Sequence, residues 1–413
     1  MKIDGKSGTR TEIPFSEPVM DFLSALSERI KSDDLLRSDE EIRAFGFWCR
    51  RANLERYRNQ YTGNDFRLGR GLVFHIAPSN IPAMFAWSMA IGLLAGNSNI
   101  IRISSRTAGQ GMRLKELIGQ MLSEEKKSSL AGLSQGGIYD MVRFVSYGSS
   151  SREQTAYYSS LCDVRVIWGG DRTVDEVRQI PLRADAYDII FPDRSSLLLL
   201  NTDRISELEE DELQALAHRF YMDTYSVDQN ACSSPSSVIW HDEGGQWAEK
   251  EGVRKRWWAA VEQAAAAYQL TPSRAYRKFQ ALCEAALNDT SLCEAVRYGN
   301  RLWVVPVQKT KELAKRKGSF GTFYEYGIKE LEELIPAVNK KIQTMTCQKG
   351  QHFIQHKPSS SEGYFSASLE KALFFGPFST FSFSWFWKQG SHICGNISIL
   401  AMAAALSAYA DTL

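Results

Sequence analysis

The chain of 413 residues has no CxxC pair. Its seven cysteines, at positions 49, 162, 232, 283, 293, 347 and 394, are scattered and odd in number. That speaks against a disulfide framework or a zinc site and for a reducing cytoplasm. It has no excess of charge either. Forty-nine basic residues against forty-eight acidic ones leave a formal net charge of +1, so no field gathers nucleic acid or an anionic membrane. A strongly apolar run is missing too. The nearest, Ile393 to Tyr409, is diluted by Asn396 and by several Ser and Ala residues. It falls short of the roughly 18 apolar residues that a span needs and reads as a buried or interface helix. Met1-Lys2-Ile3-Asp4-Gly5-Lys6 lacks the apolar core of a signal peptide. No GxGxxG, Walker A or HExxH sequence occurs. The length suggests more than one domain, and the expected partner is a small molecule or another protein.

The clearest unit runs from 71 to 104. Leu72 to Ala77 is an apolar run of strand length, and Pro78-Ser79-Asn80-Ile81-Pro82 turns the chain. Ala83 to Ala95 is almost wholly apolar, as in a buried helix, and Gly96-Asn97 ends it. Asn99 to Ser104 is the next strand. This spacing predicts a βαβ crossover and a parallel sheet. The alternation continues with a helix over Leu114 to Leu122, a strand over Met141 to Tyr147 and a short helix at Ala156–Tyr158. A strand over Val164 to Trp168 then closes on Gly169-Gly170. The pattern is that of a doubly wound nucleotide-binding sheet. Residues 1–60 read as a helical lead-in.

Further on, Ser206 and Glu209 match a capping box. Leu213, Leu216, Ala217, Phe220, Tyr221 and Thr224 then recur at helical spacing. Ser236 to Trp240 reads as a strand, which places Asp228-Gln229-Asn230-Ala231-Cys232-Ser233-Ser234-Pro235 in a helix-to-strand connection. A thiol there can act as a nucleophile once deprotonated. The alternative is a small buried residue, the commoner fate of a free cysteine. Beyond it the pattern predicts helices over Trp257–Tyr268, Ser273–Leu287 and Leu331–Val338. It predicts strands over Leu302–Val305, Phe320–Tyr326 and Ile342–Thr346.

Five segments in order carry a resemblance: Ala77 to Pro82, Ala95-Gly96-Asn97 to Ser105, Tyr147-Gly148-Ser149, Trp168-Gly169-Gly170, and Asp228 to Pro235. Together they resemble the aldehyde dehydrogenase superfamily, and most closely the long-chain acyl-CoA reductases of bacterial luciferase systems. The resemblance implies an α/β fold with a Rossmann-like cofactor domain over 66–205 and a catalytic domain over 206–350. A helical segment over 1–65 would precede them and a C-terminal segment over 351–413 would follow. It implies that Cys232 attacks an acyl carbonyl, with the Asn80 amide as oxyanion donor; from the residues alone Asn80 could equally cap a helix. Arg102 falls where the superfamily has a ribose-contacting lysine. Gly148 and Ser149 fall where it cradles a pyrophosphate, with Ser104, Ser105, Gly169 and Gly170 beside them.

The implied reaction reduces a fatty acyl-CoA or acyl-protein thioester to an aldehyde in a cytoplasmic homo-oligomer. An acyl-protein synthetase or acyl-transferase subunit is an implied partner, and no metal is expected. Ser105 stands where NAD-preferring members carry an acidic residue, and Arg106 adjoins it. With Arg102 these favour NADPH over NADH.

The departures carry information as well. Members that oxidise aldehydes place a glutamate two residues before the glycine pair to activate water, where this chain has Ile167. The glutamate expected before a Phe-Gly pair is replaced by Gly318 or Leu373, whichever pair is aligned. The last sixty residues match poorly. Competing functions are aldehyde oxidation, a cysteine hydrolase using His218 or His241, and a scaffold without catalysis. Ile167 argues against the first, the absence of a cysteine-hydrolase signature around either histidine against the second, and Cys232 with Asn80 against the third.

Overall fold

The computed structural model describes residues 10–61, 67–78, 83–104, 109–130, 137–247, 249–308, 313–338, 341–348, 378–382 and 407–409. The chain divides into two units, residues 1–193 with 395–413 and residues 194–394.

The first unit opens with four helices: α1 (Glu17–Ser32), α2 (Asp34–Ser38), α3 (Glu40–Trp48) and α4 (Arg51–Tyr61). Pro18 lies in the first turn of α1, which buries Val19, Leu23, Leu26 and Ile30 at helical spacing. Asp33 and Asp39 cap α2 and α3 by accepting backbone N–H bonds. After a short strand, β1 (Arg67–Gly69), come β2 (Leu72–Ile76), α5 (Met84–Leu94), β3 (Ser98–Ser104), α6 (Gln110–Leu130) and β4 (Val142–Tyr147). The unit continues with α7 (Arg152–Leu161), β5 (Val164–Trp168), α8 (Asp171–Arg178) and β6 (Tyr187–Phe191). The sheet order is β4-β3-β2-β5-β6, parallel throughout. The order reverses on either side of β2. The carboxyl ends of β2 and β5, paired at Ile76 and Ile167, therefore flank the place where open α/β sheets take their ligands.

Buried in this unit is a neutral polar cluster. His75 meets Ser88 Oγ at 2.7 Å through Nδ1 and Asn99 Oδ1 at 2.9 Å through Nε2. Asn99 donates its own amide to Asn97 O, and Trp168 Nε1 donates to Ser88 Oγ. One assignment satisfies all of them: Nε2 carries the hydrogen and Nδ1 accepts from the Ser88 hydroxyl. Burial pushes His75 down to about 4, so the ring is neutral at ordinary pH. Gly92 of α5 makes the cluster possible, since a Cβ there would lie 1.9 Å from Asn99 Oδ1.

The second unit runs β7 (Ser195–Asn201), α9 (Thr202–Glu207), α10 (Glu210–Thr224), β8 (Pro235–His241), α11 (Glu251–Ala264) and α12 (Pro272–Asn288). Then follow β9 (Val296–Tyr298), β10 (Leu302–Pro306), β11 (Thr322–Ile328), β12 (Ile342–Gln348) and β13 (Phe378–Ser382). Its sheet order is β13-β12-β7-β8-β11-β10-β9. The five central strands are parallel, and β9 and β13 are antiparallel edges. Phe220, Trp240, Trp257, Trp258 and Phe323 pack in one core. Inside it the Glu325 carboxylate accepts from Trp240 Nε1 at 3.1 Å, Trp258 Nε1 at 2.9 Å and Arg254 Nη1 at 3.0 Å. A last strand, β14 (Ser407–Tyr409), pairs antiparallel with β1.

Several local expectations change. Ser206 lies inside α9, and the capping box is Glu209 with Glu212 at the start of α10. Asn201 caps α9 first, and Leu208 breaks the helix with an extended conformation. Phe320 stands outside β11 with φ +51°, and only Leu331–Leu334 forms a 3-10 turn. Strands β6 and β7 escape the sequence reading. β7 is buried along almost its whole length, so Leu197 to Leu200 show no alternation. The expected helix over 393–409 falls largely outside the described residues, and Ser407–Tyr409 within it is strand.

Candidate active site

The nucleophile turn is built between α10 and β8. Thr224 closes α10 by donating its hydroxyl to Phe220 O at 2.6 Å, and a 3-10 turn over Tyr225–Val227 follows. Asp228 and Gln229 then take φ values of +55° and +60°. Two successive left-handed residues that are not glycine cost on the order of 1–3 kcal/mol each and persist only where other contacts impose them. Those contacts are present. The Asp228 carboxylate accepts from the Tyr268 hydroxyl at 2.7 Å and pairs with Arg274 at 2.8 Å. Buried Gln229 donates from Nε2 to Pro235 O at 3.1 Å and Thr322 O at 3.0 Å, and its Oε1 accepts from Gly321 N at 3.1 Å. Ser234 donates to Asp223 O at 2.6 Å, and Ser196 Oγ donates to Cys232 O at 2.7 Å.

Cys232 is exposed, unlike the buried Cys49, Cys162 and Cys347. Protein atoms crowded around its sulfur push the thiol above the ordinary thiol range. The Gln343 side chain, hydrogen-bonded to it, and the nearby Arg194 charge pull the other way. The net effect leaves the thiol protonated at neutral pH, so its reactivity rises with pH. Sequence reasoning did not reach Arg194 and Gln343. They stand 38 and 111 positions away, and only the pairing of β7 with β8 and β12 brings them to the turn. No local signal marks either residue.

The expected cofactor residues gather at the carboxyl edge of the first unit's sheet. Arg102 pairs in register with Ile76 and Val145, and Ser104 with Tyr147, which leads into Gly148 and Ser149. Gly169 and Gly170 follow β5, and Gly170 stands at the N-cap of α8. Asn80 and Ser105 lie outside the described residues, as does Arg106. Ile167 is fully buried on β5.

Arg102 is itself buried, and burial lowers its basicity. Its Nη2 donates to Tyr147 O at 3.2 Å and its guanidinium lies 5.0 Å from the Tyr147 ring, while Nε has no hydrogen-bond partner among the described residues. A buried donor without a partner is costly, and a ribose or phosphate oxygen at this edge would satisfy it. The first turn of α7 is exposed, and its N-cap Ser151 makes no side-chain cap bond, so N–H groups of that turn are open to an anionic oxygen. A nicotinamide nucleotide fits these residues. Among the described residues no group of His, Cys, Asp and Glu could hold a metal ion, and no helix is long and apolar enough to cross a membrane.

A family profile for acyl-CoA reductase (LuxC) matches residues 16–278. Among curated proteins none matches by sequence. Among solved structures, the fold is similar to the aldehyde dehydrogenase KauB from Pseudomonas aeruginosa, at 14% identity and a TM-score of 0.54 over 78% of this chain and 69% of that one. It is similar to an NAD-dependent benzaldehyde dehydrogenase from Corynebacterium glutamicum, at 14% identity and a TM-score of 0.55 over 78% and 73%. It also resembles an indole-3-acetaldehyde dehydrogenase complexed with NAD+, at 13% identity and a TM-score of 0.53 over 78% and 69%.

Proposed function

Because this chain belongs to the acyl-CoA reductase (LuxC) family and has the aldehyde dehydrogenase-like fold, we propose that it reduces a long-chain fatty acyl thioester to the aldehyde through a Cys232 acyl-enzyme, with NADPH as the reductant. The observation that carries the reading is Cys232, an exposed residue set on a strained turn whose geometry is imposed from several strands. The deprotonated sulfur adds to the thioester carbonyl, a C–S bond to Cys232 forms, and the C–S bond to the leaving thiol breaks, that thiolate taking up a proton. Arg194 and Gln343 favour the thiolate form of Cys232, and Asn80 donates to the oxyanion. Arg102 and the first turn of α7 hold the nucleotide, which supplies a hydride when bound. Ile167, an alkyl side chain, offers no base for water. The acyl-enzyme therefore survives for reduction rather than hydrolysis, which also disfavours aldehyde oxidation.

The test uses labelled palmitoyl-CoA without nucleotide, then NADPH with aldehyde trapping. Wild type is expected to retain label on the peptide containing Cys232 and to release aldehyde when NADPH is added. Equal labelling of Cys232→Ala would overturn the assignment. Fast conversion of aldehyde to acid by the wild type would overturn the reductive reading.

A further inference from the structure

We infer that Gln229 and Lys278 act together as positioning residues for Cys232, Gln229 holding the N–H of Gly321 and Lys278 its C=O, so that the start of β11 braces the nucleophile turn. The inference rests on the reading of Cys232 as the nucleophile. Its first half is the Gln229 side chain. By bonding Pro235 O and, across the sheet, Thr322 O and Gly321 N, it closes a ring around the segment that carries Cys232 and ties that ring to a neighbouring strand. The turn thus cannot shift without moving the start of β11.

The second half is Lys278, a lysine of α12 whose side chain is buried. Its Nζ donates to Gly321 O at 3.1 Å, Arg301 O at 3.1 Å and Asn300 O at 2.9 Å, and lies 4.6 Å from the Trp303 ring centre. No carboxylate pairs with it among the described residues; Arg297 also lies over the Trp303 ring, and the Tyr225 hydroxyl shares Arg301 O. Three carbonyls need three N–H donors. An ammonium has three, a neutral amine two and a methionine none. Gly321 sits between the two side chains because nothing larger fits. Its φ is +83°, and a Cβ would lie 2.0 Å from Arg301 O and 2.7 Å from the Tyr225 ring.

If Lys278 only filled the core, its loss would lower stability and leave the thiol alone. A brace predicts more. Burial pushes the amine down to about 7, so above that pH one carbonyl loses its donor and the turn loosens.

The experiment measures carboxamidomethylation of Cys232 from pH 6 to 9 by peptide mass spectrometry, with exposed Cys283 and Cys293 as internal references. It uses the full chain as wild type, Gln229→Glu, Gln229→Met, Lys278→Met and Lys278→Arg. Gln229→Met and Lys278→Met are expected to change the Cys232 rate by about tenfold relative to the reference cysteines, a 1.4 kcal/mol effect. They should lower kcat with KM for acyl-CoA little changed. Gln229→Glu, whose second oxygen faces two carbonyls, should behave like Gln229→Met, and Lys278→Arg should recover part of the rate. The wild-type profile should bend near pH 7, and Lys278→Met should lack the bend. If Lys278→Met does not fold, Gln229→Glu and the wild-type bend decide. Wild-type alkylation ratios and kcat in the folded variants, with no bend, would overturn the brace. Altered alkylation with no acyl-enzyme in the wild type would uphold the brace and sink the acyl-transfer reading instead.

Discussion

The two sheets place their chemistry by opposite means. In the first unit, the candidate nucleotide edge is made of strand ends and short loops. Arg102 and Ser104 end β3, Gly148 and Ser149 follow β4, and Gly169 and Gly170 follow β5. Each arrives there because its own strand stops there. In the second unit, the Cys232 turn is set by side chains remote in sequence. Tyr268, Arg274 and Gln343 reach it directly, and Lys278 through Gly321. The buried polar groups differ in the same sense. The first unit's His75 cluster is neutral and closes on itself. Each unit also buries an ion pair, Arg165 with Asp188 in the first and Glu325 with Arg254 in the second, but the second buries in addition Lys278, held by three carbonyls.

The largest expected effect is in the second unit. Glu325→Ala removes the carboxylate partner of Arg254 and the acceptor of two indole N–H groups, and breaking a buried pair from one side costs about 3–5 kcal/mol. Urea unfolding of the variant measures it, and a loss below about 1 kcal/mol would make the Glu325 network dispensable.

The neutral cluster responds to acid instead. The folded His75 titrates at about 4, below its ordinary 6.5. Between those values the unfolded chain binds the extra proton, so stability is complete above pH 6.5 and falls as the pH drops toward 4. The drop corresponds to roughly 3 kcal/mol. Stability curves of wild type and His75→Gln at pH 4.5 and 7 show whether the difference belongs to this ring.

Arg102→Ala should raise the KM for NADPH about tenfold, through loss of a charge-assisted contact. It should leave Cys232 alkylation untouched, and a parallel fall in alkylation would contradict the separation of the two regions. The smallest effect is expected for Arg194→Gln. Without the guanidinium the Cys232 thiol titrates higher still, so alkylation at pH 7.5 slows by about two- to fivefold. An unchanged rate would show that the Arg194 charge does not act on the thiolate.

Hydrophobic periodicity and turn residues sufficed to read the βαβ unit of 72–104, the strands at 142–147 and 164–168, and the place of Cys232 between a helix and a strand. These are local properties: an apolar run between proline and glycine turns folds as a strand or buried helix largely whatever surrounds it. The resemblance through Ala77 to Pro82 and Asp228 to Pro235 then pointed to the family. Strand β7 stayed hidden because Leu197 to Leu200, buried without alternation, suit a buried helix as well as a strand. Tertiary structure alone decided the rest. In the sequence Gln229 is one more polar residue beside the cysteine, and Lys278 one more charge on a helix. Neither shows its role without its partners, because a hydrogen bond depends on distance in space. The pairings of β8 with β7 and β11 and of β7 with β12 bring together residues that up to 111 positions of chain separate.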